Sequence, residues 1–294
     1  MAGGARGIVV GFAGIGRMGL PMAGNIRKAG FELLVWNRTA DRCAPLVAEG
    51  AVAVAEPAGL AAADVVVTMV ADGPAAQAVL VESGLLAALK PGSVVLEMST
   101  IGPAAVAELV AAASPHGVEI VDAPVSGSIM LAQNAQLFVM CGGSPEAYAK
   151  AAPVLDALSK GHVLLGRSGA GAAMKLGVNA GLAVTTQAIA EVLALAERYG
   201  IAKEAAYDVL AGGAMASPFL LYKRAAFLDP EGAGVGFTTQ LMRKDMTLAQ
   251  GLAASVGARM PATDVAASML DAAIEAGLAE ADIASVLRLL EPGT

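Results

Sequence analysis

Histidine and cysteine are scarce in this chain, two of each among 294 residues. His116 and His162 are isolated from one another and from other ligand-type neighbours. Neither a metal-ligand cluster nor a histidine-based triad can be built, and no metal is expected. His116 follows Ser-Pro and precedes Gly, which places it in an exposed turn. Cys43 and Cys141 stand in unrelated contexts, which excludes a disulfide framework and suits a reducing compartment, so a cytoplasmic protein is expected. Positive charge is also short: the net charge is −7 and no basic run occurs, which argues against nucleic acid or an anionic membrane as partner. Long uncharged stretches, such as Ala123 to Pro145, are broken by Pro, Ser, Gly, Gln and Asn, so no membrane span is expected. Met1 to Gly7 leads straight into Ile8–Phe12, an apolar region too short for a signal peptide.

What is present is small and apolar. The chain is 56% hydrophobic with only 4% aromatic residues and 35 glycines, a composition suited to parallel sheets and tightly packed helices. Apolar runs at Ile8–Phe12, Glu32–Trp36, Ala51–Ala55, Val65–Val70, Ser93–Met98 and Glu119–Asp122 read as strands. Between them lie helical stretches at Leu20–Ala29, Asp41–Glu49, Gly59–Ala63, Ala75–Leu89 and from Pro103 onward. Strands Leu137–Gly142 and Val163–Gly166 flank a helix over Pro145–Leu158, and then the alternation stops. The pattern predicts an N-terminal doubly wound α/β sheet of the Rossmann type over residues 1–165. An all-helical domain follows over 166–294, with helices at Lys203–Leu210, from Ser217-Pro218, and over Leu241–Val256, Thr263–Ala276 and Ala279–Leu290.

The first strand runs into Gly11-Phe12-Ala13-Gly14-Ile15-Gly16-Arg17-Met18-Gly19, which contains G-x-G-x-x-G between strand and helix. Gly14 permits the tight turn, Gly16 a close backbone approach to a pyrophosphate, and Gly19 the packing of helix on strand. The helix N-terminus then offers free N–H groups and a positive dipole end to phosphates. After the second strand, where an acidic residue would hold a ribose 2′-hydroxyl, stand Asn37-Arg38-Thr39. An arginine with amide and hydroxyl neighbours suits a 2′-phosphate, so NADP(H) is expected in preference to NAD(H). In the alternative, Asn37 serves the 2′-hydroxyl and Arg38 faces solvent. Met69 and Val70, closing the fourth strand, and Thr100, after the fifth, lie where ligands bind in an open parallel sheet and join the expected cofactor set.

Beyond the last of these strands, Asp122-Ala-Pro-Val-Ser126-Gly127-Ser128 can hold an anionic group through backbone N–H and hydroxyl donors, or can be an ordinary turn. The stretch from Gly169 to Arg198, closed by Gly200, predicts a helix of about 25 to 30 residues spanning roughly 40 Å. It is apolar almost all round and so is expected to be buried. Lys175 and Asn179 interrupt it one turn apart on one face.

The chain resembles the β-hydroxyacid dehydrogenases, the family of 3-hydroxyisobutyrate dehydrogenase and of tartronate, glyoxylate and succinic semialdehyde reductases. The likeness covers essentially the full length and rests on Gly11 to Ala23, Asp122 to Gly127, Gly171-Ala-Ala-Met-Lys175-Leu-Gly-Val-Asn179 and Lys244-Asp245-Met246. It implies hydride transfer between nicotinamide and a small hydroxy acid or semialdehyde acid, with Lys175 catalytic and Asn179 beside the substrate. It also implies that Ser126 and Gly127 bind the substrate carboxylate, and that Thr100 and Lys244 lie near the cofactor; a homodimer or dimer-based assembly is implied too. Ser128 stands where many hydroxyisobutyrate enzymes carry a second glycine and is similar to the semialdehyde reductases. Ile129 and Met130 make the loop more apolar than theirs, Ala135 stands where a glycine is usual, and Ala180 where a second asparagine is common. Phosphogluconate dehydrogenases would place a glutamate at Leu182, and imine reductases usually replace the lysine. An imine reductase-like NADPH enzyme and a non-catalytic NADP-binding module remain the alternatives.

Overall fold

The computed structural model describes residues 7–291; residues 1–6, read above as a short lead into the first strand, lie outside the described residues. Its contacts divide the chain into two compact units, with the division between Lys175 and Leu176.

The first unit alternates as its sequence predicts. In chain order it runs β1 (Val9–Ala13), α1 (Gly19–Lys28), β2 (Glu32–Trp36), α2 (Ala44–Ala48), β3 (Val52–Ala53), β4 (Val65–Thr68), α3 (Gly73–Gln77), α4 (Leu85–Ala88), β5 (Val94–Glu97), α5 (Gly102–Ala113) and β6 (Glu119–Asp122). The six strands form one sheet in the order β3-β2-β1-β4-β5-β6, every pair parallel. That order reverses direction beside β1, the point at which doubly wound sheets bind dinucleotides.

Side chains alternate across this sheet, and both faces are buried. Val10, Phe12, Val65, Val67, Val94, Leu96 and Val121 enter one core with Met22 and Ile26 of α1. Val66, Val95 and Ile120 enter the other, with Leu60, Leu85 and Leu109. Beyond β6 the chain forms β7 (Val125–Ser126), α6 (Ile129–Gln133), β8 (Leu137–Cys141), α7 (Pro145–Leu158) and β9 (Ser159–Leu164). These three strands make a second, smaller sheet, β7 antiparallel to β8 and β8 parallel to β9.

Some local expectations are corrected. The helix expected over Ala75–Leu89 is broken by a π turn at Ala78–Glu82 and by Gly84 in the left-handed region. The strand expected at Val163–Gly166 begins four residues earlier, because Ser159-Lys160-Gly161-His162 pairs along β8 despite carrying no apolar side chain. The segment Asp41–Glu49 opens as a 3-10 turn, Ala40–Cys43, and Pro57–Ala62 is 3-10 rather than α.

The second unit is helical: α8 (Ala170–Tyr199) runs into it, followed by α9 (Lys203–Gly212), α10 (Pro218–Leu228), α11 (Thr239–Val256) and α12 (Pro261–Glu275). Ser217 caps α10 by accepting from Leu220 N, with Pro218 in the first turn, and Thr238 caps α11 in the same way. The helix expected over Ala279–Leu290 is a 3-10 segment, Ile283–Leu289. Leu176, Ala180, Ala183, Ile189, Ala190 and Leu193 of α8 pack into this unit's core. By length and composition α8 could cross a membrane, but half of its apolar window is buried within the protein. Burial all round is not what forms: Leu195 and Tyr199 are 71% and 85% exposed.

Candidate active site

The glycine loop is built as its spacing requires. Gly14 has φ +104, and a Cβ there would lie 2.2 Å from the Met69 carbonyl oxygen. A Cβ on Gly19 would lie 1.9 Å from the Gly14 carbonyl oxygen, so α1 meets the loop with nothing between. Gly16 differs: no protein atom lies within 4 Å of a Cβ built there. Packing does not explain that glycine, whereas a ligand phosphate approaching the backbone does, so the loop fits a dinucleotide.

Asn37 braces this loop. Its Oδ1 accepts from Ile15 N at 2.9 Å and its Nδ2 donates to the Thr39 carbonyl at 2.8 Å. Asn37 therefore clasps the loop to the turn that carries Arg38 and Thr39, both of which are exposed. Phe12, Ala13 and Ile15 are buried beneath the loop; Arg17 is exposed at its tip and Met18 half-buried. Met69 and Val70 are half-buried at the end of β4, and Val70 N donates to Ser99 Oγ at 2.8 Å. Thr100 is half-buried after β5.

Two carboxyl groups lie buried side by side under these strand ends. Glu97 of β5 accepts from Ser99 N at 2.8 Å and from Thr68 Oγ1, and burial pushes its carboxyl above the usual range, with the Asp122 charge adding to the rise. Asp122, its neighbour on β6, is pushed up to about 6 by burial, although several backbone N–H groups hold its charged form.

The Asp122–Ser128 loop leaves β6 here. Ser126 pairs with Phe138 as part of β7, and Gly127 turns at φ +144, where a Cβ would press on Leu137 at 2.8 Å. Ser128 caps α6, its Oγ accepting from Leu131 N at 3.4 Å, which leaves its hydroxyl hydrogen able to donate. Met130 beside it is exposed. Ala135 has φ +52, alone among the described non-glycine residues in the left-handed region.

Lys175 is half-buried on α8, and one turn on Asn179 is 2% exposed. Asn179 Nδ2 donates to Asp245 Oδ2 at 2.5 Å, and Lys244 Nζ lies 3.2 Å from Asp245 Oδ1. Asp245, buried on α11, thus fixes which way the Asn179 amide faces. The sequence singled out Lys244-Asp245-Met246 as a motif but gave Asp245 no part in the site. The two residues of this pair are 66 positions apart, and only the fold joins them. Among the described residues no group of three or more His, Cys, Asp or Glu side chains could hold a metal ion.

A glycine loop at the reversal point of a parallel sheet, followed by a helical half, is the architecture of a dinucleotide-binding protein. Residues 9–167 match the model of the NAD binding domain of 6-phosphogluconate dehydrogenase, and residues 169–290 that of the NAD-binding domain of NADP-dependent 3-hydroxyisobutyrate dehydrogenase. The chain belongs to the β-hydroxyacid dehydrogenase family and is a dehydrogenase or reductase acting on hydroxy acids at a CH–OH group. It is 33% identical over 286 residues to glyoxylate/succinic semialdehyde reductase 2, chloroplastic, of Arabidopsis thaliana, spanning 97% of this chain and 80% of that one. It is 36% identical over 297 residues to the NAD-dependent L-serine dehydrogenase of Pseudomonas aeruginosa, spanning 96% and 98%. The crystal structure of a 3-hydroxyisobutyrate dehydrogenase from Salmonella typhimurium superposes with a TM-score of 0.88 at 29% identity, over 96% of this chain and 99% of that one.

Proposed function

We propose that the protein reduces a small semialdehyde acid, or oxidises the matching 3-hydroxy acid, using NADP(H), with Lys175 as general acid and base. The observation that carries this reading is the pairing on α8 of a half-buried lysine with an asparagine one turn on, whose amide is held by Asp245. When bound, the nicotinamide supplies or accepts the hydride. In the reduction the Lys175 ammonium stabilises the charge growing on the carbonyl oxygen and gives it a proton; in the oxidation neutral Lys175 takes that proton back. With Nδ2 committed to Asp245, Asn179 turns its Oδ1 away from that carboxylate, ready to accept from the substrate hydroxyl or from the lysine. Ser126, Gly127 and Ser128 hold the substrate carboxylate through hydroxyl and backbone donors. Arg38, exposed where an acidic residue would favour the ribose hydroxyl, serves the 2′-phosphate. Self-association through the helical unit goes with this reading, because Leu195, Tyr199, Val209 and Leu221 are all more than half exposed there.

The test is a panel of small aldehydo acids, 3-hydroxy acids, serine, their methyl esters and cyclic imines, each assayed with NADPH and NADH. Turnover of an acid with NADPH, lost on esterification, is expected. Equal rates with both cofactors would remove the part given to Arg38, and a preference for neutral imines would overturn the carboxylate reading. Sedimentation of the purified protein reads its oligomeric state, and a monomer would refute the self-association.

A further inference from the structure

The catalytic helix begins in an unusual way. A helix of this length leaves its first four N–H groups without intrahelical partners, and a Ser, Thr, Asp or Asn immediately before it would normally accept from them. Here that position is Gly169, with φ +93. The acceptor comes instead from the end of β6. Asp122 Oδ1 accepts from Gly169 N at 2.6 Å and Asp122 Oδ2 from Ala172 N at 2.7 Å, across 47 and 50 positions of sequence.

The surroundings are cut to this contact. A Cβ on Gly171 would lie 2.2 Å from the Met140 carbonyl oxygen and 2.8 Å from that of Asp122. A Cβ on Gly142 would lie 2.7 Å from Asp122 Oδ1 and 2.8 Å from Ala170 N. The helix end thus sits on bare backbone. The main chain of Asp122 is tied down as well, its N donating to the Gly142 carbonyl at 3.0 Å and its carbonyl accepting from Gly142 N at 2.8 Å. Four residues further on comes Ser126; three residues past Ala172, about 4.5 Å along the axis, comes Lys175.

We infer that Asp122 is a positioning residue for the reaction: its carboxylate, capping α8 from β6, fixes the height and rotation of Lys175 against the Ser126–Ser128 loop. This rests on the reading of Lys175 as the proton donor. Both carboxylate oxygens are used as acceptors, so the ionised form is the one that holds both N–H groups. Protonation turns one oxygen into a donor facing an N–H and breaks that bond. Burial places this ionisation at about 6, with Glu97 on β5 and Cys141 on β8 as the ionisable neighbours coupled to it and Arg167, in the turn before α8, exposed.

The experiment is the pH profile of kcat in the reduction direction, from pH 5 to 8, under saturating NADPH. In that direction Lys175 acts protonated and contributes no acid limb. The unmodified enzyme is expected to lose activity below about pH 6, nearly tenfold per unit. Asp122→Asn presents an N–H₂ to Ala172 N and mimics the protonated state. It is expected to bind NADPH normally, to lose roughly ten- to hundredfold in kcat, the scale of a small misplacement of a catalytic group, and to show no limb near 6. Glu97→Gln keeps the limb if Asp122 is its source. Should Asp122→Asn fail to fold, Asp122→Ser, whose neutral hydroxyl can rotate its hydrogen away from the helix N–H groups, takes its place. Retention of the limb in either Asp122 variant, or its loss in Glu97→Gln, overturns the inference. Lys175→Ala separates the two ideas: if that variant stays active, the reading of the lysine fails. If it is inactive while Asp122→Asn matches the unmodified profile, only the positioning role fails.

Discussion

The two units bury charge by different means. In the sheet half, Glu97 and Asp122 are buried at 0% and 1% exposure, and they accept from a hydroxyl and from backbone N–H groups. In the helical half the buried charges are paired. Lys223, 4% exposed, meets both oxygens of Asp282 at 2.6 and 2.7 Å, and Asp282 also accepts from Gly236 N and Phe237 N. Asp245 likewise has Lys244 beside it as well as Asn179. A carboxylate held by N–H groups aims those groups and remains close to its own ionisation. One held by an ammonium locks its surroundings. The first arrangement aims backbone groups; the second braces side chains, Lys223 in the core and Asn179 on α8.

The largest effect that would test this contrast is on the chemistry itself. Lys175→Ala is expected to lose 10² to 10⁴ in kcat, the range for removing a general acid–base group, with NADPH affinity unchanged by fluorescence titration. Lys175→Arg should recover little, since guanidinium keeps the charge but does not release the proton. Turnover near the unmodified rate in Lys175→Ala would place the chemistry elsewhere.

Breaking the pair in the helical half should cost stability instead. Lys223→Met leaves Asp282 buried without its cation and is expected to lower the unfolding free energy by about 3 to 5 kcal/mol, read from urea denaturation of the helical unit's transition. A change under 1 kcal/mol would show that the pair is not a lock.

The sheet half should respond to pH with the opposite sign to its activity. Asp122 titrates higher in the fold, at about 6, than its ordinary value of 3.8, so the folded state gains protons first. Its contribution to stability is fully present below 3.8 and is lost as pH rises through about 6. As pH falls through about 6, acid therefore favours the fold through this group while it removes activity. The stability of the unmodified protein relative to Asp122→Asn should fall by up to about 1.4 kcal/mol per pH unit as pH rises from about 4 to about 6, and level off above 6. A difference that does not vary with pH would remove the ionisation assigned to Asp122.

The smallest expected change is a gain. Ala135 bears φ +52, and Ala135→Gly should relieve about 1 kcal/mol of left-handed strain. A lower Tm in that variant would show that chain entropy outweighs the relief.

Much of this was legible in the sequence because it is local. The glycine spacing, the strand-helix alternation, Arg38 in place of an acid, and the Lys175–Asn179 step all depend on neighbours within a few turns. What escaped depends on distant partners or on backbone pairing. Asp122 reads as the last residue of a strand, and nothing nearby reveals that it caps a helix 47 positions on. Asp245 reads as one charge in a motif until Asn179 is brought to it. β9 begins in Ser-Lys-Gly-His, where a ladder with β8 overrides the lack of apolar residues. The apolar surface of α8 reads as buried on every side, since composition alone does not tell a covered face from an exposed one such as that of Leu195 and Tyr199.

The clasp made by Asn37 has a consequence for how such an enzyme can change its diet of cofactors. Its amide is committed at both ends, to Ile15 N and to the Thr39 carbonyl. The shape of the glycine loop is therefore secured one residue before the position proposed to meet the ribose. Arg38 projects from a turn already held in place, so if it serves the 2′-phosphate as proposed, exchanging it would alter what the adenosine end encounters without disturbing the glycine loop. Selection, or a protein engineer, can thus work on residue 38 alone, as on a replaceable key tip whose shaft is fixed.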